Sequence, residues 1–494
     1  MEDLKQRVVR GGIARLFGQV ANLALRLGFT AVMARLLHPE DFGLVAMVVA
    51  VTGIYDLFTS AGLSLATIQR ASITEEQIST LFWINLIVGS VLCLLCVATA
   101  PLLVGFYHEP RLFWVTVVMG AGFLLNATGI QHSALMQREL RYVDLTMTEL
   151  ASLLVGYSFG IGLAAYGFGY WALVGSTVLI PAVSSALMWI FSAWVPSLPR
   201  RRSDIRSLLG YGGTITLNNL IVYVAYNFDK LLIGRVWGAS ALGLYGTAYQ
   251  LANVPTRNLT GAVGGIAFSA LSRLQGEPIR LKSYFLKGCS LLVSVTAPIT
   301  IFSALFADDI VFVVLGPKWA DAATIFRLLA PTILVFSVIN PTGWLLQSTG
   351  LHRRSLWIAL VIAPLVIGAY LVGLPYGPRG VAFGFSAAMT LWVVPHVMWC
   401  LHNTTISPSE LLLATARPFL ASTVAAVLAF GAADLWFNDL QFALLRLALA
   451  GVVMAGAYFA ILLYVMGEKA FYLNLLSGLK SSSRDNQSPE LVTR

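Results

Sequence analysis

Few charges interrupt this chain. Asp, Glu, Lys and Arg together make up 11% of it, against 57% hydrophobic residues and a mean hydropathy of +0.78. A water-soluble protein of 494 residues could not hide that much apolar surface, so lipid must be the solvent for most of it. Cysteine is equally sparse. Cys93, Cys96, Cys289 and Cys400 all fall in apolar stretches, and the CxxC spacing of the first two has no histidine or second pair beside it. Small buried hydrophobes explain them better than a zinc or redox site. Of the six histidines, His38, His108, His352, His396 and His402 lie near the ends of apolar runs, and His132 is the one placed to face inward. The chain has no P-loop, no nucleophile elbow, no metal-spaced histidine cluster and no outer loop of substantial size. No enzyme, cofactor or metal is therefore expected. The net charge of +9 does not point to nucleic acid, because the basic residues sit in short links between apolar runs.

Long apolar runs are what the chain does have. Every backbone polar group in lipid needs an internal partner, and runs of this length answer that need as helices rather than barrel strands. Fourteen segments are long enough to cross a hydrocarbon core, which takes about 20 helical residues. They lie near 12–34, 42–68, 81–106, 112–135, 145–166, 169–194, 208–234, 242–269, 284–306, 322–347, 356–376, 380–401, 411–437 and 440–466. The start, MEDLKQRVVR, runs directly into the first span with no A-x-A site after it, so it is read as a flank rather than a signal peptide. Links from odd to even spans carry five basic residues: Arg35, Arg111, Arg235, Lys318 and Arg379. The opposite links and the termini carry twenty, which places both termini in the cytoplasm of a multi-pass membrane protein.

The chain also repeats itself. ARLLHPEDFGL (34–44) returns 200 positions later as GRVWGASALGL (234–244), with Arg35 matching Arg235, Gly43 matching Gly243 and Leu44 matching Leu244. Gly169-Tyr170-Trp171-Ala172-Leu173 lines up with Arg379-Gly380-Val381-Ala382-Phe383 at a spacing of 210. Two six-helix halves in the same order imply a parallel repeat about an axis along the membrane normal, the plan of a transporter with its path between like halves. The expected architecture is all-α: a lobe over 1–195, a basic cytoplasmic link over 196–206, a second lobe over 207–403, two further spans over 404–467, and a polar tail over 468–494 that is partly disordered.

Polar residues inside spans each need a reason, since a charge at the centre of a membrane helix costs roughly 2.5–3.5 kcal/mol on insertion scales. Gln19, Asn22 and Arg26 stand at i, i+3 and i+7 in the first span; Gln250, Asn253 and Arg257 repeat those types at that spacing in the eighth. In the seventh, Asn219, Tyr223, Tyr226 and Lys230 share a stripe with Asp229 beside them, and the second adds Thr52, Asp56 and Ser60. Amides, phenols and a few fixed cations suit a wet cavity for an anionic, hydroxyl-rich ligand: arginine offers phosphate a bidentate fork, and the amides and phenols hydrogen-bond sugars. The plainer alternative is that Arg26 and Arg257 pair with Asp56 or Asp229 to hold the bundle. Asp229 and Lys230, near the outer end of their helix, read as a local ion pair or as snorkelling to the interface. Asp56 is open between a protonatable coupling group and a counter-ion. Arg327 reads as snorkelling after Asp321, and Arg446 lies beside Asp439. Arg35 and Arg235 share a role at matching helix ends, binding the carbonyls that close each helix.

These residues resemble a known family. ARLLHPEDFGLVAMVVAV, followed by SAGLSLATIQRASITEEQISTLFWINL, is similar to the opening of polysaccharide-transporter flippases of the Wzx/WzxC type. These belong to the multidrug/oligosaccharidyl-lipid/polysaccharide exporter superfamily, shared with MATE multidrug exporters and the peptidoglycan-precursor flippase. LLIGRVWGASALGLYGTAYQLANVP, ALSRLQGEP and LGPKW (315–319) carry the likeness into the second half, to about Gly350. The resemblance implies a V-shaped bundle of two six-helix lobes plus two helices. It implies a monomer that moves an undecaprenyl-diphosphate-linked oligosaccharide, of the exopolysaccharide, capsule or O-antigen kind, across a bacterial inner membrane by alternating access, alongside other polysaccharide-assembly proteins. Cationic residues of the first, second, seventh and eighth helices line the cavity in related flippases, a role that falls here to Arg26, Arg257 and Lys230. Where relatives carry an acid before the Gly-Leu pair of the second helix, this chain has Ser60-Ala61-Gly62-Leu63, with Asp56 one turn earlier. A MATE-like drug exporter on the same fold would need an acid-dominated cavity, a glycan polymerase or ligase a large outer loop, and an inert scaffold no matched polar faces.

Overall fold

The computed structural model describes residues 2–59, 67–68, 73–198, 213–437 and 442–469; nearly all are helical and none lies in a strand. Ser60, most of the link 196–206 and the tail from 470 lie outside the described residues. The helices are α1 (Glu2–Leu36), α2 (Pro39–Thr59), α3 (Glu75–Tyr107), α4 (Leu112–Arg138), α5 (Tyr142–Ala165), α6 (Trp171–Ser192) and α7 (Gly213–Arg273). They continue as α8 (Pro278–Leu305), α9 (Ala307–Val314), α10 (Ala320–Leu329), α11 (Pro331–Ser348), α12 (His352–Gly373), α13 (Gly377–Leu401), α14 (Pro408–Ala432) and α15 (Ala443–Ala460). Ten helices among the described residues are long and apolar enough to cross a membrane, or eleven when α10 and α11, bent by 43°, count as one span.

Local chemistry explains most of the boundaries. Thr74 and Gln77 form a reciprocal capping box at the start of α3, with bonds of 3.2 and 3.3 Å, and Ser407 with Glu410 does the same for α14. Pro331 cannot donate into the preceding turn and sits at the first position of α11, where the tenth apolar run breaks. The 200-residue repeat shows the same interruption made in two ways. Between α1 and α2 the chain leaves the helix at His38, before Pro39, a residue that disfavours helical backbone at the position before it. At the matching position of α7, Gly238 adopts φ 80°, ψ −177°, a region that only glycine visits without strain, and divides the 61-residue helix into arms 213–237 and 239–273.

The described chain forms two compact units. The first comprises Met1–Leu251, Val314–Ile325 and His352–Ala388; the second comprises Ala252–Val313, Phe326–Leu351 and Met389–Arg494. Helices of the second half run through both.

Within the first unit, α3 packs on α4, α4 and α5 on α6, and α1 on α5. Small residues let these backbones approach, which is how helices associate where lipid offers no hydrophobic gain. A Cβ on Gly120, for instance, would stand 2.7 Å from that of Cys96. Within the second unit, α8 packs on α11 and α14, and α14 on α15. Ala421, Ala425 and Ala429 pack with Met454, Tyr458 and Leu462 in a buried seam, and the Tyr458 hydroxyl donates to Ser294 O at 2.7 Å. Arg446 forks onto Asp309 of α9, and Arg327 pairs with Asp308 and donates to Ala304 O. The last two spans are built into this unit's core.

Candidate functional site

The polar face of the first span meets a polar face on α5. The two helices run parallel, with Gly11 beside Tyr142, Phe29 stacked on Tyr157 at 4.1 Å, and Met33 in one cluster with Ala164. Between these contacts, Asn22 Nδ2 donates to Glu149 Oε1 at 2.6 Å, and the exposed Arg26 lies beside the Tyr157 hydroxyl. Gln19 is exposed one turn earlier. The pairing of Arg26 with Asp56 is not made: Arg26 has Tyr157, and Asp56 stands exposed on α2. An exposed guanidinium midway along a membrane-length helix is tolerated only where water reaches it.

The seventh-span stripe divides. Asn219 is exposed, whereas the Tyr223 hydroxyl is committed to α2, donating to Val49 O at 3.2 Å in the space left by Gly53. Asp229 is fully buried, so it neither snorkels nor faces an interface. Its carboxylate accepts from Tyr245 Oη at 2.6 Å, across the break in α7, and from the Lys230 backbone N–H at 2.7 Å. The Lys230 ammonium donates to Asn227 Oδ1 at 2.6 Å and lies 5.4 Å from the Tyr249 ring centre. Tyr226, Tyr249 and Tyr370 close around Phe385 to complete a buried aromatic nest. Gln250 is exposed in this unit; Asn253 and the exposed Arg257 belong to the second unit.

One end of the first unit gathers the five cations of the odd-to-even links, each bonded to another such link. Arg35 donates to Val314 O at 3.3 Å, and Lys318 to Arg35 O at 3.2 Å. Arg111 reaches Glu40 at 2.6 Å, Arg235 reaches His108 at 2.9 Å, and Arg379 reaches Asp321 at 3.0 Å. The Arg111 guanidinium also bonds Glu109 at 2.7 Å and holds that carboxyl below the usual carboxylate range. Arg35 binds a carbonyl of its own helix, Ala31 O, as expected; the bond found for Arg235 is instead to a histidine ring.

A family model described as "Polysaccharide biosynthesis protein" matches residues 32–324, more than half of the chain. The chain belongs to that family. It is 26% identical over 390 residues to the lipopolysaccharide biosynthesis protein WzxC of Escherichia coli (strain K12), covering 78% of each chain. It is 20% identical over 462 residues to the succinoglycan biosynthesis transport protein ExoT of Rhizobium meliloti (strain 1021), covering 93% of each. Among solved structures it matches the lipid II flippase MurJ in an inward closed conformation, with a TM-score of 0.72 at 12% identity over 93% of this chain and 99% of that one. At that identity the likeness is one of fold.

In this family member, Glu149 and Tyr157 are the functional candidates that the sequence reading passed over. The signal was present: a carboxylate inside the fifth apolar run, with a phenol two turns later on the same face.

Proposed function

We propose that this protein is a flippase that carries a polyprenyl-diphosphate-linked oligosaccharide from the cytoplasmic to the outer leaflet of a bacterial inner membrane by alternating access. The observation that carries this reading is Arg26: exposed, at mid-helix, and set among the amide of Asn22 and the phenol of Tyr157. A delocalised cation beside an amide and a phenol suits a diphosphate bearing sugars, with the Glu149 carboxylate one turn away. By the matched sequence pattern, Arg26 docks the diphosphate and Arg257 is its counterpart in the second half, with Lys230, Gln19, Asn219, Gln250 and Asn253 as polar residues serving one or the other, while the lipid tail stays in the bilayer. The fold shared with a lipid II flippase, and relatives named for polysaccharide biosynthesis and transport, support the substrate class.

The finer architecture belongs to the same proposal. Fourteen spans result when His352–Leu401 and α7 each count as two and the bent α10–α11 pair as one. The termini are cytoplasmic, the chain acts as a monomer, and the two halves are related by the 200-residue repeat. The test is leaflet sidedness. In inner-membrane vesicles of known orientation, lipid-linked glycan should be confined to the cytoplasmic face only when this protein is missing. Unchanged sidedness in a strain with no second flippase would overturn the reading, and full flipping by an Arg26→Ala/Arg257→Ala chain would overturn the docking site.

A further inference from the structure

The LGPKW segment, conspicuous in the sequence, is given no role by substrate docking, yet its contacts are specific. A helix ends with carbonyls that have no partner of their own. At the end of α1, Trp319 Nε1 donates to Ala34 O at 2.8 Å and Lys318 Nζ to Arg35 O at 3.2 Å, while Arg35 returns a bond to Val314 O at 3.3 Å. The lysine charge also complements the negative end of the helix dipole. Trp319 is fully buried, edge-on to Phe42 at 5.0 Å. Gly316, at φ 95°, turns the chain so that this short helical turn can reach α1.

A counterpart contact, of different chemistry, lies on the other side of the repeat. The first arm of α7 closes at Arg235, which reaches His108 in the link after α3, and Gly234 leaves room for Tyr107, the last residue of α3. Between these two contacts, α2 meets the second arm of α7 reciprocally. A Cβ on Gly43 would overlap the carbonyl of Ala239, and a Cβ on Gly243 would overlap the carbonyl of Pro39. Both residue pairs are related by the 200-residue offset, as are Ala46 and Gly246, whose Cβ positions lie 3.9 Å apart. Contacts that exchange under the repeat operation mark its axis, and at this axis backbone touches backbone.

We propose that these contacts are a two-fold latch that closes the transport path at its outer end: the two halves touch through Gly43 and Gly243, and each half's terminal arginine helix is held by a link of the other half. The inference rests on the transport reading above. Outward release of a headgroup requires the latch to part, and its return resets the protein to face the cytoplasm. The small residues are there because the seal is made by main chain, which a side chain would prop open. The Trp319 and Lys318 donors are there because they engage only when the seal is shut.

The test is a reversible cross-link. In a chain with its four native cysteines replaced, Ala46→Cys and Gly246→Cys stand at a Cβ separation within the usual disulfide range of about 3.5–4.5 Å. Oxidation should cut flipping at least tenfold relative to each single-cysteine chain under the same oxidant, and dithiothreitol should restore it. Undiminished flipping by fully cross-linked protein would overturn the latch. A second readout needs no flipping: Trp319→Phe keeps the ring and loses the N–H donor. Added to the Ala46→Cys chain, it should raise at least threefold the rate at which a membrane-impermeant maleimide labels the introduced thiol from the outer face. An unchanged labelling rate would overturn the latch; a raised rate in a chain that flips nothing, even when reduced, would keep the latch and remove the flippase reading.

Discussion

Two carboxylates in the first unit are held in opposite ways, and their positions lead to different expectations. Glu149 is exposed, bonded to Asn22, one helical turn from the level of Arg26. An anion arriving at Arg26 therefore meets a like charge nearby. Glu149→Gln keeps an acceptor for Asn22 and removes that charge, so a short-chain prenyl diphosphate should bind purified protein about tenfold more tightly, worth about 1.4 kcal/mol. Arg26→Ala should abolish the binding, and equal affinity in the Glu149→Gln and parent chains would refute the electrostatic link. Asp229, by contrast, is fully buried and takes the Tyr245 hydroxyl. Tyr245→Phe leaves a buried carboxylate short of a partner, which should cost about 2–3 kcal/mol of stability. Thermal unfolding in detergent measures it. Adding Asp229→Asn should recover part of the loss, because the two residues share one interaction; additive losses would show that they act separately.

At the level of elements, the interruption of α7 is the feature with the clearest chemical cause. Gly238 occupies backbone space closed to other residues, so Gly238→Ala should cost about 1–3 kcal/mol and displace the second arm from its contact with α2. A stability within about 0.5 kcal/mol of the parent would mean that the break is set elsewhere. Most elements were legible in the sequence, since apolar runs bounded by Pro, Gly and capping residues carry their own limits. The paired interruptions at His38 and Gly238 stand in the same class, whereas the break at Ala330–Pro331 falls inside the single run read over 322–347. What periodicity does not show is contact across a break. Asp229 and Tyr245 sit 16 positions apart on either side of Gly238, so no helical wheel places them together, and Asp229 read as an edge residue. Arg446 likewise read as a neighbour of Asp439, although its partner Asp309 lies 137 positions away.

For the whole molecule the open question is what drives an anionic headgroup outward, and the charge placement bears on it. In the proposed orientation the cation-rich links are cytoplasmic, and the cations at the opposite end are bonded to acids, carbonyls or a histidine rather than presented to a ligand. In that orientation the outer end offers little to hold a released diphosphate. Each elementary charge crossing the membrane responds by about 2.3 kcal/mol per 100 mV, and an interior-negative potential pushes an anion outward. If the diphosphate crosses without a compensating cation, flipping in proteoliposomes should accelerate several-fold when a potassium diffusion potential is raised from zero to about −100 mV, and should slow when its sign is reversed. A rate independent of potential would mean that a cation moves with every headgroup. Glu149 and Asp56, the exposed acids of α5 and α2, would then be the residues to neutralise first, and the one whose loss restores potential dependence would be the carrier.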